Sequence, residues 1–137
     1  MFLGEYKTSF SGRGRIVLPK RMRSELKEEK TVILSKGFES CIWGFTQKGF
    51  EKEAGKQLEI SATEERARYM RRYLFSGSES VELDAQGRII IPSALLDFAS
   101  VKKEVVIIGA GDHFEIWDVK RWKKHIRKIE RSHGRIS

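Results

Sequence analysis

The stretch DAQGRIIIP, residues 84–92, predicts a turn, a strand and the start of a helix in succession, and this unit decides the fold. Asp84 has a short acidic side chain that accepts hydrogen bonds from nearby backbone N–H groups in a turn. Gly87 permits the positive φ that such a turn needs, and Arg88 follows it directly. Residues 89–91 are three isoleucines, whose β-branched apolar side chains favour a buried strand. Pro92 ends that strand and presets φ for the first turn of a helix.

The same pattern occurs earlier in the chain as SGRGRIVLP, residues 11–19. Gly14 matches Gly87 and Pro19 matches Pro92, each at an offset of 73 residues (87 − 14 and 92 − 19). The apolar residues 32–34 match 105–107 at the same offset, and Ile42-Trp43 match Ile116-Trp117 after a slip of one residue. This correspondence indicates a tandem duplication. We therefore expect two small halves that share one β core and are related by a pseudo-two-fold axis.

Composition indicates an anionic partner and a reducing compartment. The chain has 137 residues and a formal net charge of +8, which favours nucleic acid as the partner, although general solubility is the alternative explanation. Cys41 is the only cysteine, so no internal disulfide can form. No apolar run approaches the length of a membrane span, and residues 1–5 lack the features of a signal peptide. We expect a cytoplasmic protein.

The first repeat carries a basic segment without acids. Residues 11–24 contain no Asp or Glu, and Met22 and Leu26 mark the apolar face of the helix predicted after Pro19. Its other face carries Lys20, Arg21 and Arg23. This segment is typical of a phosphate-contacting surface, and the alternative is a solvated helix face.

The two repeats differ at the residue that begins the turn. Asp84 precedes Arg88 by four residues, so we expect an internal ion pair across the second turn. Ser11 takes the equivalent place before Arg15 and cannot pair as an anion. DNA contact is therefore the favoured interpretation for Arg15, and a less rigid first turn is the alternative consequence of Ser11. We expect the first repeat to bind DNA and the more apolar second repeat to contribute packing.

Two helices are predicted between the repeats. Phe50, Ala54 and Leu58 recur four residues apart and indicate a helix after Gly49. A second helix is expected to begin near Ser61, where Ser61 and Glu64 have capping-box spacing. A final basic helix follows Asp118. The apolar strands within residues 105–117 are predicted to exceed what a small core covers, which indicates subunit contact.

The ionisable residues do not form a pattern that indicates catalysis. The three histidines have no ligand-like spacing relative to acids or Cys41, which lies in an apolar segment and is expected to pack in the core. Asp112 and His113 are interpreted as turn residues whose side chains diverge. Trp43 and Trp117 end apolar strands, so core or subunit contact is favoured over base stacking. We expect no enzymatic activity, cofactor, metal or small-molecule substrate.

The motif Asp84-Ala85-Gln86-Gly87-Arg88 resembles the Asp-x-x-x-Arg motif of the MraZ family, within the SpoVT/AbrB-like group of DNA-binding proteins. The opening MFLGEY and the segment GAGDHFEIW, residues 109–117, are also similar to that family. The resemblance implies an α+β fold: a tandem-duplicated AbrB-like swapped-hairpin β-barrel core with peripheral helices. The expected divisions are repeats at 5–48 and 78–121, a helical insertion at 49–77, and a basic C-terminal helix and tail at 122–137.

The resemblance also implies a function. The family comprises bacterial transcriptional regulators of the division and cell-wall gene cluster, so a sequence-specific repressor is expected. It would bind double-stranded promoter repeats at the nucleoid as a homo-oligomeric ring of more than two subunits. The expected DNA-binding residues are Arg13, Arg15, Lys20, Arg21 and Arg88. The expected structural residues are Gly14, Pro19, Asp84, Gly87 and Pro92. The alternative is an antitoxin-like or scaffold module of the same fold that binds protein, and RNA binding is a weaker third possibility.

Overall fold

The computed structural model describes residues 1–12 and 14–136, with side-chain positions up to residue 132. The described residues form eight strands and five helices. In chain order these are β1 (Glu5–Ser9), β2 (Arg15–Val17), α1 (Lys20–Glu25), β3 (Thr31–Lys36), β4 (Ile42–Phe45), α2 (Gln47–Leu58), α3 (Glu65–Ser76), β5 (Glu79–Glu82), β6 (Arg88–Ile90), α4 (Ser93–Phe98), β7 (Glu104–Gly109), β8 (Phe114–Asp118) and α5 (Val119–Ile136). The turn-strand-helix units predicted at both glycine turns are confirmed, with Pro19 and Pro92 preceding α1 and α4.

Strand exchange between the repeats builds the sheet. Six strands form one antiparallel sheet in the order β1-β7-β8-β4-β3-β5, and β2 and β6 form a separate two-stranded ribbon. The first strand of each repeat pairs with the other repeat, because β1 pairs with β7 and β5 pairs with β3. Each repeat therefore completes the sheet of the other, and the shared core predicted from the duplication is confirmed.

Equivalent residues of the two repeats meet at two places. Ile16 pairs with Ile89 in the ribbon, and Ile42 pairs with Ile116 in the sheet. A residue pairs with its own counterpart only where a two-fold axis passes between the two. The repeats are thus related by a pseudo-two-fold axis that runs through both isoleucine pairs.

The expected closed barrel is not present among the described residues. β1 and β5 lie at the two edges of the six-stranded sheet, and β2 and β6 hydrogen-bond to each other instead of joining those edges. Each ribbon strand is three residues long and soon reaches Pro19 or Pro92. Proline has no N–H to donate, so the ribbon ladder cannot extend through these positions.

The ribbon is anchored to one face of the sheet by its central residues. Side chains alternate along β7, so Val105 and Ile107 enter the main core together with Ile16 and Ile89. Ile16 is 1% exposed and Ile89 is 0% exposed. Burying an isoleucine side chain stabilises a fold by about 1.5–3 kcal/mol. Because both central residues face the core, their neighbours on β2 and β6 must face outwards.

Helix α5 covers the opposite face of the sheet. Trp122 packs edge-on against Trp117 with ring centroids 5.3 Å apart, and its Nε1 donates a hydrogen bond to Glu5 Oε1 at 3.0 Å. Val106 and Ile108 are buried beneath this layer. The expectation that these strands leave apolar surface for subunit contact is wrong, because α5 supplies the cover within one chain. Neither α5 nor any other described helix has the length and apolarity to cross a membrane.

Cys41 and Trp117 both have the core role that the sequence indicated. They lie together in the second core beneath α5. Burial raises the pKa of the Cys41 thiol, so this group stays protonated at neutral pH. Its burial fits the packing role expected for Cys41.

The insertion helices α2 and α3 pack against β3 and β4, but the predicted start of each needs correction. Helix α2 begins at Gln47 because the Thr46 hydroxyl accepts a hydrogen bond from the Gly49 N–H at 2.9 Å. The predicted capping box is wrong. The Ser61 hydroxyl accepts a bond from the Thr63 N–H at 3.2 Å, and α3 begins later, at Glu65.

Close packing around Gly44 generates a test of the sheet register. Gly44 of β4 lies opposite Phe114, and a methyl group at Gly44 would overlap the buried Phe114 ring. Gly44→Ala should therefore lower the free energy of unfolding by about 1–3 kcal/mol, measured by urea denaturation. Gly55→Ala is the matched control, since among the described residues no atom beyond the adjacent residues and the local helix backbone lies within 4 Å of its Cβ position. Alanine inside α2 should stabilise the protein by up to about 1 kcal/mol. Similar unfolding midpoints for the two variants would contradict this packing.

Candidate nucleic-acid interface

The ribbon presents four side chains on the surface opposite to the core. Ile16 and Ile89 point inwards, and the residues on either side of each point outwards because side chains alternate along a strand. We call this surface the ribbon face. Its members are Arg15, Val17, Arg88 and Ile90.

Strand register arranges the ribbon face as alternating charged and apolar groups. Arg15 lies directly opposite Ile90, and Val17 lies directly opposite Arg88. Cross-strand neighbours are about 5 Å apart and residues two apart along a strand are about 7 Å apart. The two arginines thus occupy one diagonal of a small grid, and the two apolar residues occupy the other.

The second turn holds Arg88 through Asp84, as the sequence predicted. Asp84 Oδ1 accepts hydrogen bonds from the backbone N–H groups of Gln86 and Arg88, both at 2.9 Å. Asp84 Oδ2 accepts a bond from Arg88 Nε at 2.7 Å. The Arg88 backbone N–H, together with the Arg88 side chain, lowers the pKa of the Asp84 carboxyl. Because this carboxylate engages only Nε, both terminal amino groups of Arg88 remain available to a ligand.

Among the described residues, the bonds that close the first turn are backbone bonds. The Ser11 N–H donates to the Arg15 carbonyl at 2.9 Å, and the Arg15 N–H donates to the Ser11 carbonyl at 3.2 Å. Among the described residues, no carboxylate lies within salt-bridge distance of the half-buried Arg15 side chain. Arg13, which the sequence also placed at the interface, lies outside the described residues.

Each turn glycine is covered by the helix of the other repeat. Gly14 and Gly87 have φ values of +78° and +76°, so the predicted left-handed conformation is confirmed. Leu96 of α4 lies over Gly14, and a Cβ atom there would come within 2.8 Å of Leu96 Cδ1. Arg23 of α1 lies over Gly87 in the same way, with Cδ 2.6 Å from a Cβ position. Glycine is therefore favoured by the positive φ, which other residues rarely adopt, and the Leu96 and Arg23 side chains would have to move to admit a Cβ atom.

Arg23 lies near the interface in a position that the sequence did not predict. The helical spacing of α1 predicted Arg23 on the face opposite Met22 and Leu26. Its side chain is instead half-buried and lies across the second turn. Its Nε atom is buried and has no hydrogen-bond partner among the described residues. The signal was present in the duplication, since Arg23 matches Leu96 at the 73-residue offset and Leu96 is a packing residue.

Lys20 and Arg21 lie in the first turn of α1 and are exposed, as predicted. Helix α1 follows β2 closely, and β2 ends at Val17, beside Arg88. The equivalent residues of the second repeat are Ser93 and Ala94, which carry no charge. Positive charge at these helix positions is thus confined to the first repeat.

Comparison with known proteins shows a family match in both halves of the chain and relatives that match nearly all of it. The family model described as "MraZ protein, putative antitoxin-like" matches the chain twice, over residues 1–73 and 74–135. This chain belongs to the MraZ family. The resemblance drawn from residues 84–88 is confirmed.

Three relatives carry the name "Transcriptional regulator MraZ". The protein from Halothermothrix orenii is 37% identical over 137 residues, which cover 100% of this chain and 94% of the relative. The protein from Roseiflexus castenholzii is 40% identical over 130 residues, covering 95% and 90%. The protein from Heliobacterium modesticaldum is 35% identical over 137 residues, covering 100% and 94%. The match to these MraZ proteins extends over nearly the whole chain.

A separate ionisable cluster in this MraZ-family chain lies at the turn between β7 and β8. His113 Nδ1 is 2.7 Å from Asp112 Oδ1, and His113 Nε2 is 2.8 Å from Glu115 Oε2. The turn was predicted, but the divergence of Asp112 and His113 is wrong, because the bend brings the side chains together. Trp117 Nε1 also donates to Glu115 Oε1 at 2.9 Å, so the cluster is tied into the second core. Among the described residues, no three His, Cys, Asp or Glu side chains are placed to hold a metal ion.

Because Asp84 binds Arg88 and Ser11 provides no carboxylate for Arg15, we expect removal of the two arginines to affect thermal stability unequally. Arg88→Ala removes the Nε donor from Asp84, so the melting temperature should fall by a few degrees. Arg15→Ala is the matched control at the equivalent position, where no carboxylate is present, and its melting temperature should change less. Thermal unfolding followed by circular dichroism at pH 7 measures both. Equal losses in the two variants would show that the Asp84 contact adds no stability.

The His113 cluster predicts a pH-dependent contribution to stability. Burial opposes the charged imidazolium, but the hydrogen bonds with Glu115 and Asp112 outweigh it and raise the pKa of His113 above 6.5. A raised pKa contributes stability that is complete below the unfolded value and is lost as pH rises through the folded value. His113→Gln should therefore cost about 1–3 kcal/mol at pH 6 and less at pH 9, measured by urea denaturation. A difference from the parent that does not vary with pH would contradict a charged His113.

Proposed function

We propose that this protein is a transcriptional regulator that binds double-stranded DNA through the ribbon face. The observation that carries the proposal is the outward placement of Arg15 and Arg88 on paired strands, with the exposed Lys20 and Arg21 a few residues further along the chain. Residues 11–24 contain no acid to neutralise this surface. Arg13 belongs to the proposed interface on the basis of its position in the first motif.

A two-stranded ribbon suits the DNA major groove. The groove is about 12 Å wide and admits such a ribbon, and arginine is the side chain that pairs bidentately with guanine. Arg15 has no anionic partner among the described residues, so its guanidinium is available for a phosphate or a base edge. Arg88 is held in place by Asp84 but keeps two amino groups for DNA. The interface thus combines one preorganised arginine with one that has no internal partner.

Family membership and the names of the relatives support the biological role. We propose a repressor of the division and cell-wall gene cluster that acts on promoter repeats in the cytoplasm, at the nucleoid. The exchange of β1 and β5 supports assignment to the AbrB-like swapped-hairpin group. The proposed divisions are repeats at 5–48 and 78–121, a helical insertion at 49–77 and a basic C-terminal segment at 122–137.

The small size of the ribbon face supports assembly of several subunits. One face offers four side chains, and linking several such modules raises affinity for repeated sites through effective concentration. We therefore propose a homo-oligomeric ring of more than two subunits. Sedimentation that shows only monomer at micromolar protein would oppose this assembly.

A protein-binding, antitoxin-like role is the second candidate. It is favoured by Val17 and Ile90, which are 44% and 51% exposed on the ribbon face. Salt dependence separates the two functions. Affinity for a DNA duplex falls steeply as salt rises because counterions are released, whereas an apolar protein contact is nearly indifferent to salt.

Arg15→Ala tests the proposed function. We expect folding to be nearly unchanged and affinity for duplexes selected from the host genome to fall. If Arg15 contacts phosphate, the loss should be similar on a random duplex, with a salt slope smaller by about 0.9 for each subunit engaged. If Arg15 contacts a base, the loss should fall on the selected duplex and amount to about 1–3 kcal/mol. Fluorescence anisotropy at several salt concentrations measures both quantities.

The control for net charge is Arg66→Ala, which removes an exposed arginine from α3. It should lower affinity much less than Arg15→Ala. The DNA assignment of the ribbon face is refuted if Arg15→Ala binds the selected duplex as tightly as the parent protein.

A further inference from the structure

We infer that Val17 and Ile90 contact thymine methyl groups in the major groove and thereby contribute to sequence specificity. The inference rests on the proposed DNA-binding function and adds two apolar specificity residues to its arginines. Both residues lie on the ribbon face at equivalent positions of the repeats.

The exposure of Val17 and Ile90 does not contribute to the stability of the fold. Val17 is 44% exposed and Ile90 is 51% exposed, although the central ribbon residues Ile16 and Ile89 are almost fully buried. Single exposed apolar residues are common on protein surfaces. Here two large β-branched side chains are exposed on one small surface, once from each repeat, which indicates a contact with a partner.

The surroundings of Val17 and Ile90 restrict the chemistry of that partner. Each residue has an arginine directly across the ribbon, Arg88 beside Val17 and Arg15 beside Ile90. Asp84 is already engaged by Arg88. The surface therefore fits a polyanion that also offers apolar groups between its polar contacts.

The DNA major groove meets this requirement. Its base edges carry acceptors on guanine that pair with arginine, and the C5 methyl of thymine is the apolar group on the same edges. A-form RNA has a deep, narrow major groove that side chains cannot reach, so RNA does not fit equally well. Cross-strand spacing of about 5 Å corresponds to one or two base-pair steps of about 3.4 Å. The preferred sites should thus place a thymine within one or two base pairs of a guanine.

Deoxyuridine substitution tests the inference without altering the protein. Duplexes that bind the full-length parent are selected from a random-sequence pool, and each thymine of the selected site is replaced in turn by deoxyuridine, which lacks only the C5 methyl. We expect a loss of affinity of about 3- to 10-fold at one or more of these positions. The inference is overturned if the selected site contains no thymine or if no single replacement changes affinity.

Protein variants then assign the methyl contact to a residue. In Val17→Ser or Ile90→Ser, affinity for the selected duplex should fall, and the thymine and deoxyuridine forms should bind equally at the position that the residue contacts. Leu58→Ser is the matched control, because Leu58 is an exposed apolar residue of α2, 54% exposed. It should keep the full difference between the two duplex forms. Melting curves establish that each variant is folded, and the parent deoxyuridine scan decides the matter if a variant is not.

The outcomes separate this inference from the proposed function. Salt-dependent duplex binding that is lost in Arg15→Ala but is insensitive to deoxyuridine leaves the proposed function standing and overturns the inference. No duplex binding at low salt overturns both. If Val17→Ser and Ile90→Ser change the sedimentation coefficient and leave the deoxyuridine effect intact, the apolar pair is a contact between copies of this chain and the inference is wrong.

Discussion

Backbone hydrogen bonding between the two repeats is the constraint on which the rest of the structure depends. β1 pairs with β7 over five residue pairs, from Glu5–Ile108 to Ser9–Glu104, and β5 pairs with β3 in the equivalent manner. Neither repeat can satisfy these backbone groups alone, and unpaired buried N–H and C=O groups are costly. The exchange brings Ile16 opposite Ile89 on the pseudo-two-fold axis, and this pair holds the ribbon against the core. The ribbon face exists because that pair is buried.

The two repeats have the same backbone arrangement, but several equivalent positions carry side chains of different charge and polarity. The residue that covers the partner turn is Arg23 in the first repeat and Leu96 in the second. The residue that opens the turn is Ser11 in the first repeat and Asp84 in the second. The positive charge of α1 has no counterpart in α4. The expectation that the first repeat binds DNA and the second packs stays a prediction. Arg23 of the first repeat packs over the second turn, and Arg88 of the second repeat lies on the ribbon face.

The two motif arginines differ in how firmly the protein holds their side chains. Asp84 orders Arg88 through its Nε atom, which reduces the conformational entropy that ligand binding would cost. Arg15 has no such restraint among the described residues. A pair of this kind combines a fixed contact with an adaptable one. The apolar side chains opposite the arginines complete a face that offers more than charge.

The sequence by itself determined most features that depend on neighbouring residues. The exceptions are the starts of α2 and α3 and the contact between Asp112 and His113. Gly14 and Gly87 predicted left-handed turns, residues 89–91 predicted a strand, and the prolines predicted helix starts, because backbone preferences act within a few residues. The contact between Asp84 and Arg88 was predictable for the same reason, as both residues belong to one turn. The repeat offset also determined that the halves share a core.

Only the tertiary structure decided what depends on residues far apart in the chain. These features are the strand exchange, the open sheet in place of a barrel, the cover of Gly87 by Arg23 and the register that sets Arg15 opposite Ile90. Local preference fixes whether a segment is a strand. Its partner and register follow from the packing of side chains such as Ile16 and Ile89, which are brought together only when the whole chain folds.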